Sequence, residues 1–367
     1  MKPAPAEHPR GIALIMVMMV VTVLAVLAGG FAYSMRVETR LARNAAWDSD
    51  LEWLARGGVE IAKWALSQRA PGSAGVDYLG QAWAGGRAET NEVVSSLIGP
   101  WQKTDGGDFR ISIVDLNRKM DINSADELVL QNACSLIGVD ASSSRVIVSS
   151  ILDWRDEDSD THPGGAEDEF YSKLDVPLHA RNGPLDDLSE LLLINGIRDN
   201  PGVYYGAGIS SVRHRARSAR DSHFEEPIYE TGLRDLFCAI PGGGARPGGN
   251  RSGLLNINTA SVKALQVCPL FRESTAEEFV RARRGPDETE GTEDDFVARS
   301  SQDILRFLPG VDPGFARPFL QMLGVQSAVF EVTVEVRVGT HSRTYKATIR
   351  RAGGPNQLQT LNLYWMD

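Results

Sequence analysis

The stretch GIALIMVMMVVTVLAVLAGGFAYSM, residues 11–35, carries no charged side chain and decides how the rest of the chain is interpreted. As a helix it would span roughly 37 Å, which is enough to cross a bilayer. Lys2 and Arg10 precede it and Arg36 follows it, so the positive-inside rule predicts a cytoplasmic N-terminus and the bulk of the chain on the far side of the membrane. The alternative is a signal peptide cut near Ala28, although the apolar region of a signal peptide is usually shorter, about 7–15 residues.

The helical pattern does not stop at the membrane. Over residues 36–68, apolar side chains recur on one helical face and charged side chains fill the others, and no proline interrupts the run. One helix is therefore predicted over residues 12–70. Its predicted helix-packing surface is the apolar face near Leu41, Leu51, Leu54 and Ile61. The three stem tryptophans, Trp47, Trp53 and Trp64, are predicted as core residues rather than partner contacts.

Composition places the remainder among ordinary globular proteins. Apolar residues make up 42% of the 367 residues and charged residues 23%, which excludes a wholly disordered chain and favours two or three domains. The net charge of −10 argues against a broad basic surface for nucleic acid. Three cysteines are too few for a disulfide scaffold and lack metal-binding spacing.

The part of the chain beyond the membrane segment is predicted to form an α+β fold. Alternation predicts a strand over residues 109–114, and the chain closes with two more at 328–338 and 342–352, joined by a hairpin turn at Gly339, with a last strand near 361–365. Between them, residues 116–324 are predicted as an inserted helical block, with candidate helices at 125–136 and 143–154. The prediction is a long N-terminal helix plus a small antiparallel sheet that carries a large inserted all-α domain of helical hairpin units.

The helical block contains a weak internal repeat. MDINSADELVL (120–130) resembles LNINTASVKAL (255–265), and SELLLINGI (189–197) resembles DILRFLPGV (303–311). Each copy pairs an N-capped helix start with a Leu-rich helix that ends at glycine. A helix-hairpin-helix DNA motif would need glycine where Arg198 and Asp312 stand, so nucleic-acid binding is not expected.

Two acidic segments are candidate cation sites. Asp156, Asp158, Asp160 and Glu167 occupy slots 1, 3, 5 and 12 of an EF-hand-like loop, although Thr161 replaces the glycine expected at slot 6. Alternating carboxylates suit Ca²⁺, with Asp153 and Asp168 as further candidate ligands. The alternative is a solvated acidic loop. The second acidic run, residues 287–295, lacks this alternation and is either a second calcium site or a solvated loop.

No catalytic chemistry is predicted. The sequence contains no P-loop, no His-Glu-x-x-His, no Cys-x-x-Cys and no Gly-x-Ser-x-Gly, and its six histidines are scattered. The chain is therefore interpreted as a non-enzyme without catalytic residues. Cys238 and Cys268 flank a Gly-rich loop and could form a disulfide in an oxidising compartment, with Cys134 as an equally possible partner.

The N-terminus resembles that of type IV pilin-like proteins, because a short charged leader ends in glycine before an apolar helix. The resemblance implies that prepilin peptidase cuts between Gly11 and Ile12 and methylates the new N-terminus. Most members carry glutamate at the fifth mature position, where this chain has Met16. The lack of that glutamate, with ILDWRDEDSDTHPGGAEDEFY (151–171), PLDDLSELLLINGI (184–197) and LLNINTAS (254–261), resembles the K-type minor pseudopilins of type II secretion systems.

This resemblance implies a domain plan. Residues 1–11 would be the prepilin leader and 12–70 the transmembrane and stem helix. Residues 71–115 and 325–367 would form the pilin-like domain, and 116–324 the inserted helical domain, in which the resemblance also implies one or two calcium ions.

The same resemblance implies a role and a location. The chain would be a single-pass inner-membrane protein with its bulk in the periplasm. It would join the I-type and J-type minor pseudopilins at the tip of the pseudopilus, prime assembly of the other pseudopilus subunits and so serve protein export. The alternative function is a secreted calcium-binding protein or enzyme with a cleaved signal peptide.

Overall fold

A computed structural model describes residues 10–68, 75–89, 91–206, 229–241, 254–351 and 357–366. Its first element is one uninterrupted helix, α1 (Arg10–Ser67), of 58 residues, which corresponds to roughly 87 Å at helical rise. The predicted continuity between apolar segment and stem is therefore present. Residues 1–9 of the predicted leader lie outside the described residues.

A five-stranded antiparallel sheet lies against the C-terminal part of α1. Its strands are β1 (Trp101–Thr104), β2 (Gly107–Asp115), β7 (Val329–Val338), β8 (His341–Arg351) and β9 (Leu358–Met366), paired in that order. Val338 pairs directly with His341, so the β7–β8 turn consists of Gly339 and Thr340. Gly339 adopts φ 59°, which is the left-handed region that such short hairpin turns favour.

The sheet and α1 share one apolar core because the strands alternate buried and outward-facing side chains. Buried residues of α1 that face the sheet are Leu51, Ala55, Val59, Ala62, Ala65 and Leu66. Gly58 lies at the closest approach: a Cβ added there would come within 2.7 Å of Val334 Cγ1. A side chain at this position would push the helix away from the sheet.

In the segment between β2 and β7, helices are more numerous and longer than strands among the described residues, which agrees with the predicted α+β class. Its α-helices are α3 (Glu127–Ile137), α4 (Ala141–Arg155), α5 (Asp168–Tyr171), α6 (Gly202–Tyr205), α7 (Leu233–Leu236), α8 (Val262–Val267), α9 (Glu273–Arg283) and α10 (Pro313–Leu320); α2 (Glu92–Leu97) precedes β1. The two Leu-rich stretches form 3-10 helices, Leu188–Leu193 and Ser301–Phe307, where the repeat predicted helices. The predicted domain boundaries stay a prediction.

The predicted repeat corresponds to two units with the same internal construction, here called the first unit (residues 120–197) and the second unit (residues 255–311). Each starts with a two-residue strand that pairs in parallel with a strand from outside the unit. The pairs are β3 (Met120–Asp121) with β4 (Phe237–Cys238), and β5 (Leu255–Asn256) with β6 (Leu323–Gly324).

Equivalent asparagines hold each unit together. Asn123 donates through Nδ2 to Leu185 O (2.9 Å) and accepts from Leu185 N (2.8 Å). Asn258 makes the same pair of bonds with Ala298, at 2.9 Å each. Both asparagines are buried, so the amide satisfies backbone groups that would otherwise lack partners.

Equivalent arginines end the second long helix of each unit. Arg155 is the last residue of α4 and Arg283 the last of α9, and each guanidinium donates to two backbone carbonyls near the start of its unit. The acceptors are Ile122 and Ala125 in the first unit and Ile257 and Ala260 in the second. An acidic loop follows each arginine, and these loops are the two predicted cation sites.

A buried polar cluster joins the sheet to the second unit. Asp115, at the end of β2, accepts hydrogen bonds from Thr259 Oγ1 and Ser327 Oγ, both at 2.5 Å, and from the backbone N of Asn117 at 2.8 Å. Thr259 belongs to the second unit, whereas Ser327 precedes β7. Burial raises the pKa of Asp115 to about 6, although these hydrogen bonds oppose the rise.

The expected disulfide is absent: all three cysteines are buried free thiols. Cys238 lies in β4 beside Ile240 and Val329, whereas Cys268 follows α8 and packs in the core of the helical units together with Cys134. The prediction of a Cys238–Cys268 bridge was wrong because flanking the same loop does not bring two residues into one core cluster. Burial raises the pKa of Cys134 to about 11 and that of Cys268 to about 12.

Candidate cation site and assembly surface

The first acidic loop, residues 156–167, follows α4, and three acidic side chains of the loop and the helix end have oxygens buried from solvent, in what is here called the acidic pocket. Asp153 is fully buried on the last turn of α4, and Glu167 is 4% exposed at the start of α5. Asp156 lies between them at the helix C-cap. The spacing that suggested an EF-hand therefore gives a different geometry, since α5 is only four residues long and no second long helix follows the loop.

Carboxylate oxygens in this pocket lack hydrogen-bond donors. They are Asp153 Oδ2, Asp156 Oδ1 and both oxygens of Glu167. Burial raises the pKa of Glu167, and the neighbouring Asp153 and Asp156 raise it further. The pKa of Asp156 rises for the same reasons, first burial and then Asp158 and Asp153. Grouped buried carboxylates without donors are costly unless a cation compensates them, so the donor set fits an oxygen-seeking ion such as Ca²⁺.

His162 orients the deepest of these ligands. Its backbone N donates to Asp153 Oδ1 at 3.0 Å, and its ring Nδ1 lies 2.5 Å from the same oxygen, which raises the pKa of the imidazole. Ligand atoms of Asp153, Asp156 and His162 lie within 4.8 Å of one another. In the EF-hand-like numbering His162 is at slot 7, where a calcium loop offers a backbone carbonyl and not a side chain as ligand.

Gly165 leaves the space in which Asp153 lies. A Cβ added to Gly165 would come within 2.0 Å of Asp153 Oδ2, one of the oxygens without a donor. Across the pocket, the ring of Tyr171 packs edge-on against Trp154 with centroids 5.1 Å apart, and its hydroxyl accepts from Asn195 N. These contacts fix α5, and with it Glu167, against the end of α4.

The other predicted ligands point elsewhere. Asp158 and Asp160 are exposed, and Asp158 Oδ1 accepts from the backbone N of Asp160 at 2.9 Å. Asp168 accepts from Ala180 N at 2.6 Å and lies 3.4 Å from His179 Nδ1 through its other oxygen. Of the predicted ligands, the structure therefore brings Asp153 and Asp156 together, with Glu167 as a neighbour whose pKa they raise, and leaves Asp158, Asp160 and Asp168 exposed.

α1 presents a second candidate surface. Within the described residues, one helix is long and apolar enough to cross a membrane, and its apolar window has no buried residue. Further along the stem, Leu51 is 2% exposed against the sheet, and Leu54 and Ile61 are partly buried in the same core. The prediction that Leu51, Leu54 and Ile61 pack against a partner helix was thus wrong, because the chain's own sheet covers that face. Of the four predicted residues, Leu41 is the one that is exposed.

The opposite face of the stem carries two exposed tryptophans. Trp53 is 71% and Trp64 40% exposed, so the prediction that they belong to the core was wrong. At about 100° per residue they lie within about 20° of each other on the helix, and about 180° from the sheet-packed face. This tryptophan stripe consists of Ala42, Ala46, Trp53, Gly57 and Trp64, and all five are exposed. Trp47 instead stacks on His341, with centroids 4.1 Å apart.

These features define a class of protein: a long apolar-to-amphipathic helix packed on an antiparallel sheet, with an inserted pair of helical units. Comparison with known proteins identifies the same plan. A family model described as type II secretion system (T2SS), protein K, matches residues 110–201. The crystal structure of the GspK-GspI-GspJ complex from enterotoxigenic Escherichia coli contains a chain that matches with a TM-score of 0.63 at 19% identity, over 89% of this chain and 99% of that chain.

Sequence relatives lead to the same family. Type II secretion system protein K of Pectobacterium carotovorum subsp. carotovorum is 25% identical over 213 residues, covering 52% of this chain and 59% of the relative. A putative protein K of Escherichia coli (strain K12) is 26% identical over 197 residues, covering 53% and 60%. The chain thus spans about three fifths of the length of the curated relatives it matches. The resemblance to the K-type minor pseudopilins that the motifs predicted is confirmed.

Proposed function

We propose that this protein is a minor pseudopilin of a type II secretion system, anchored in the inner membrane by α1, with its N-terminus cytoplasmic and its bulk periplasmic. It would form the pseudopilus tip with I-type and J-type minor pseudopilins and prime assembly for protein export. The observation that carries the proposal is the shape of α1. Its apolar part projects beyond the sheet with no residue buried by the chain, whereas its last part is fixed to the sheet.

The tip position has a physical rationale. A buried glutamate in a lipid-embedded helix needs a partner, such as the N-terminal amine of the next subunit. This chain has Met16 at that position, so it needs no neighbour above it. The two helical units, inserted between β2 and β7, add bulk that would obstruct a subunit stacking on top.

The tryptophan stripe is the surface that we propose for the partner helices. A Cβ added to Gly57 would meet no atom within 4 Å, so a neighbouring helix can approach its backbone between Trp53 and Trp64. Small residues permit close helix contact, and exposed tryptophans supply most of the binding free energy in many interfaces. The sheet already covers the other face of the stem.

Co-purification of the chain with its I-type and J-type partners tests this surface. Trp53→Ala should reduce recovery of the partners at least tenfold without changing the unfolding temperature. Trp365→Ala is the matched control, because Trp365 is 56% exposed on the edge strand β9 and is not part of the stripe. Equal recovery with both variants would refute the assignment of the stripe.

Processing of the N-terminus tests the class of protein. We propose cleavage between Gly11 and Ile12 with methylation of the new amine, and intact mass with N-terminal sequencing should give methylated Ile12 in the membrane fraction. Gly11→Ala should abolish cleavage. A soluble chain that starts near Gly29 would instead support the alternative, an exported protein with a signal peptide.

We further propose that the first acidic loop binds Ca²⁺ through Asp153, Asp156 and Glu167, as supported by their oxygens without donors. The ion would supply charge compensation and hold the loop against α4 and α5. Calcium should therefore raise the unfolding temperature of the wild-type chain, and Glu167→Gln should abolish that rise. Glu157→Gln, an exposed glutamate of the same loop, is the control that should retain it. An equal response of both variants would exclude Glu167 as a ligand.

A further inference from the structure

The two units carry side chains of opposite charge at one pair of equivalent positions. Two residues before its terminal arginine, the first unit has the buried Asp153, whereas the second unit has the exposed Arg281. The second unit thus lacks the carboxylate that anchors the pocket of the first. The loop that follows must be held by other contacts.

One of these contacts is an ion pair. Arg283 Nη2 lies 2.6 Å from Glu290 Oε1, and the Arg283 side chain is only 5% exposed. The same guanidinium donates to the carbonyls of Ile257 and Ala260, so Glu290 is tied directly to the start of the second unit. Within the described part of the chain, the equivalent Arg155 has no carboxylate at ion-pair distance.

The three aspartates of the second acidic loop, residues 287–295, already accept hydrogen bonds, and Asp287 accepts from Thr289 N at 2.8 Å. Asp294 accepts from Asp287 N and Thr292 Oγ1, at 3.2 and 2.7 Å. Asp295 accepts from Gly291 N and Thr292 Oγ1, at 2.6 and 3.2 Å. Among the described residues of this loop, no buried side-chain oxygen lacks a donor, in contrast to the first acidic loop. Ligand atoms of Asp287, Asp294 and Asp295 lie within 4.8 Å of one another, and each of these carboxylates accepts at least one hydrogen bond from the loop itself.

The loop also contacts the segment that follows the stem helix. This strap, residues 75–89, crosses the second unit, and Arg87 N donates to Gly291 O at 2.7 Å. A Cβ on Gly291 would lie 3.2 Å from Leu79 O, so loop and strap are packed backbone to backbone. Earlier in the strap, Asp77 N donates to Val325 O at 2.8 Å. The strap is therefore held at both ends against the region around the second unit.

We infer that the second acidic loop is a metal-independent latch that fixes the second unit to the strap, and through it to the stem helix. The Arg283–Glu290 pair replaces the cation that the first acidic loop would use. The inference concerns a contact within the chain and does not depend on a role in secretion. It predicts that the geometry of this junction is the same with and without calcium.

Hydrogen exchange of the full chain in detergent tests the latch. A peptide covering residues 79–89 reports the Arg87 amide, which should be equally protected in calcium and in EDTA. Glu290→Gln should accelerate its exchange at least tenfold in both conditions, because it removes the charge that pairs with Arg283. Glu293→Gln, an exposed glutamate of the same loop, is the matched control and should leave exchange unchanged.

Calcium counting by native mass spectrometry gives the second readout. The double variant Asp294→Asn with Asp295→Asn should bind as many calcium ions as the wild-type chain. Loss of an ion in this variant, or calcium-dependent protection of the Arg87 amide in the wild-type chain, would overturn the inference. The hydrogen-exchange and calcium-counting measurements on the wild-type chain still test the inference if Glu290→Gln does not fold. Absence of any bound calcium would refute the site in the first acidic loop and leave the latch intact.

Discussion

Replacing Asp115 by asparagine should change how the stability of the protein depends on pH. Asp115 is 2% exposed and joins the sheet to the second unit through Thr259 and Ser327. Burial raises its pKa from 3.8 to about 6, with nearby Asp77 adding to the rise. The folded state therefore holds a proton between about pH 4 and 6 that the unfolded state has released.

The sign and size of the effect follow from this shift. Because the folded state binds more protons in that interval, the contribution of Asp115 to stability is largest below about pH 4 and is lost as the pH rises through about 6. A shift of about two units corresponds to about 3 kcal/mol. The wild-type chain should lose about this amount from this one group between about pH 4 and 7, whereas Asp115→Asn should not.

Urea unfolding in detergent, followed by circular dichroism at about pH 4 and pH 7, measures the difference. The quantity to compare is the free energy of unfolding of Asp115→Asn minus that of the wild-type chain at each pH. It should become more positive by about 3 kcal/mol at the higher pH. Asp199→Asn, at an exposed aspartate, controls for the change in net charge. A difference that does not vary with pH would refute the reasoning.

Three further variants or measurements test the packing. Gly58→Ala should destabilise the chain by about 1–3 kcal/mol in urea unfolding, because its Cβ would approach Val334 Cγ1 to 2.7 Å; Gly57→Ala, on the open face of the same helix, should cost nothing comparable. Gly165→Ala should abolish the calcium-dependent rise in unfolding temperature, since its Cβ would collide with Asp153 Oδ2, and an unchanged rise would contradict the proposed site. Thiol titration without reductant should find no reactive cysteine in the native chain and three in denaturant, because all three are buried and free; a single thiol in denaturant would show that a disulfide forms after all.

Local periodicity explains why the main elements could be predicted. The uncharged stretch and the proline-free stem define α1, and alternation along residues 109–114 and 328–338 defines two strands whose observed bounds are Gly107–Asp115 and Val329–Val338. Such patterns depend only on neighbours within one element. The internal repeat was also visible, although it did not reveal that its Leu-rich parts are 3-10 helices.

The orientation of the stem could not be predicted in the same way. Leu51 and Trp53 are both apolar, and hydrophobicity alone does not say which of them faces the chain's own sheet and which faces outward. In the structure it is Gly58 and not Gly57 that lies against the sheet, since a Cβ on Gly58 would come within 2.7 Å of Val334 Cγ1 and one on Gly57 would meet no atom within 4 Å. That choice depends on a strand 276 positions away in the sequence, so no local pattern contains it.

The acidic loops show that sequence spacing alone does not predict which carboxylates form a cation site. Spacing singled out Asp156 and Glu167 but also Asp158 and Asp160, which are exposed. What distinguishes the proposed ligands is burial without a donor, and that property depends on the fold around each oxygen. Asp168 illustrates the converse, since a backbone amide twelve residues later, that of Ala180, already occupies its carboxylate.

A comparison of the two units explains why the number of carboxylates in the second acidic loop does not by itself predict a calcium site. In both units, a terminal arginine donates hydrogen bonds to backbone carbonyls at the start of the unit, so these carbonyls are satisfied in the same way in each. They differ in what neutralises the acidic loop: the second supplies Arg283 to Glu290, whereas the first leaves both oxygens of Glu167 and Oδ2 of Asp153 without donors. An ion pair within the chain needs no ion from solution, whereas a bound cation depends on its concentration. Under the two proposals made above, the first unit responds to calcium, whereas the second keeps the helical units fixed to the stem without it.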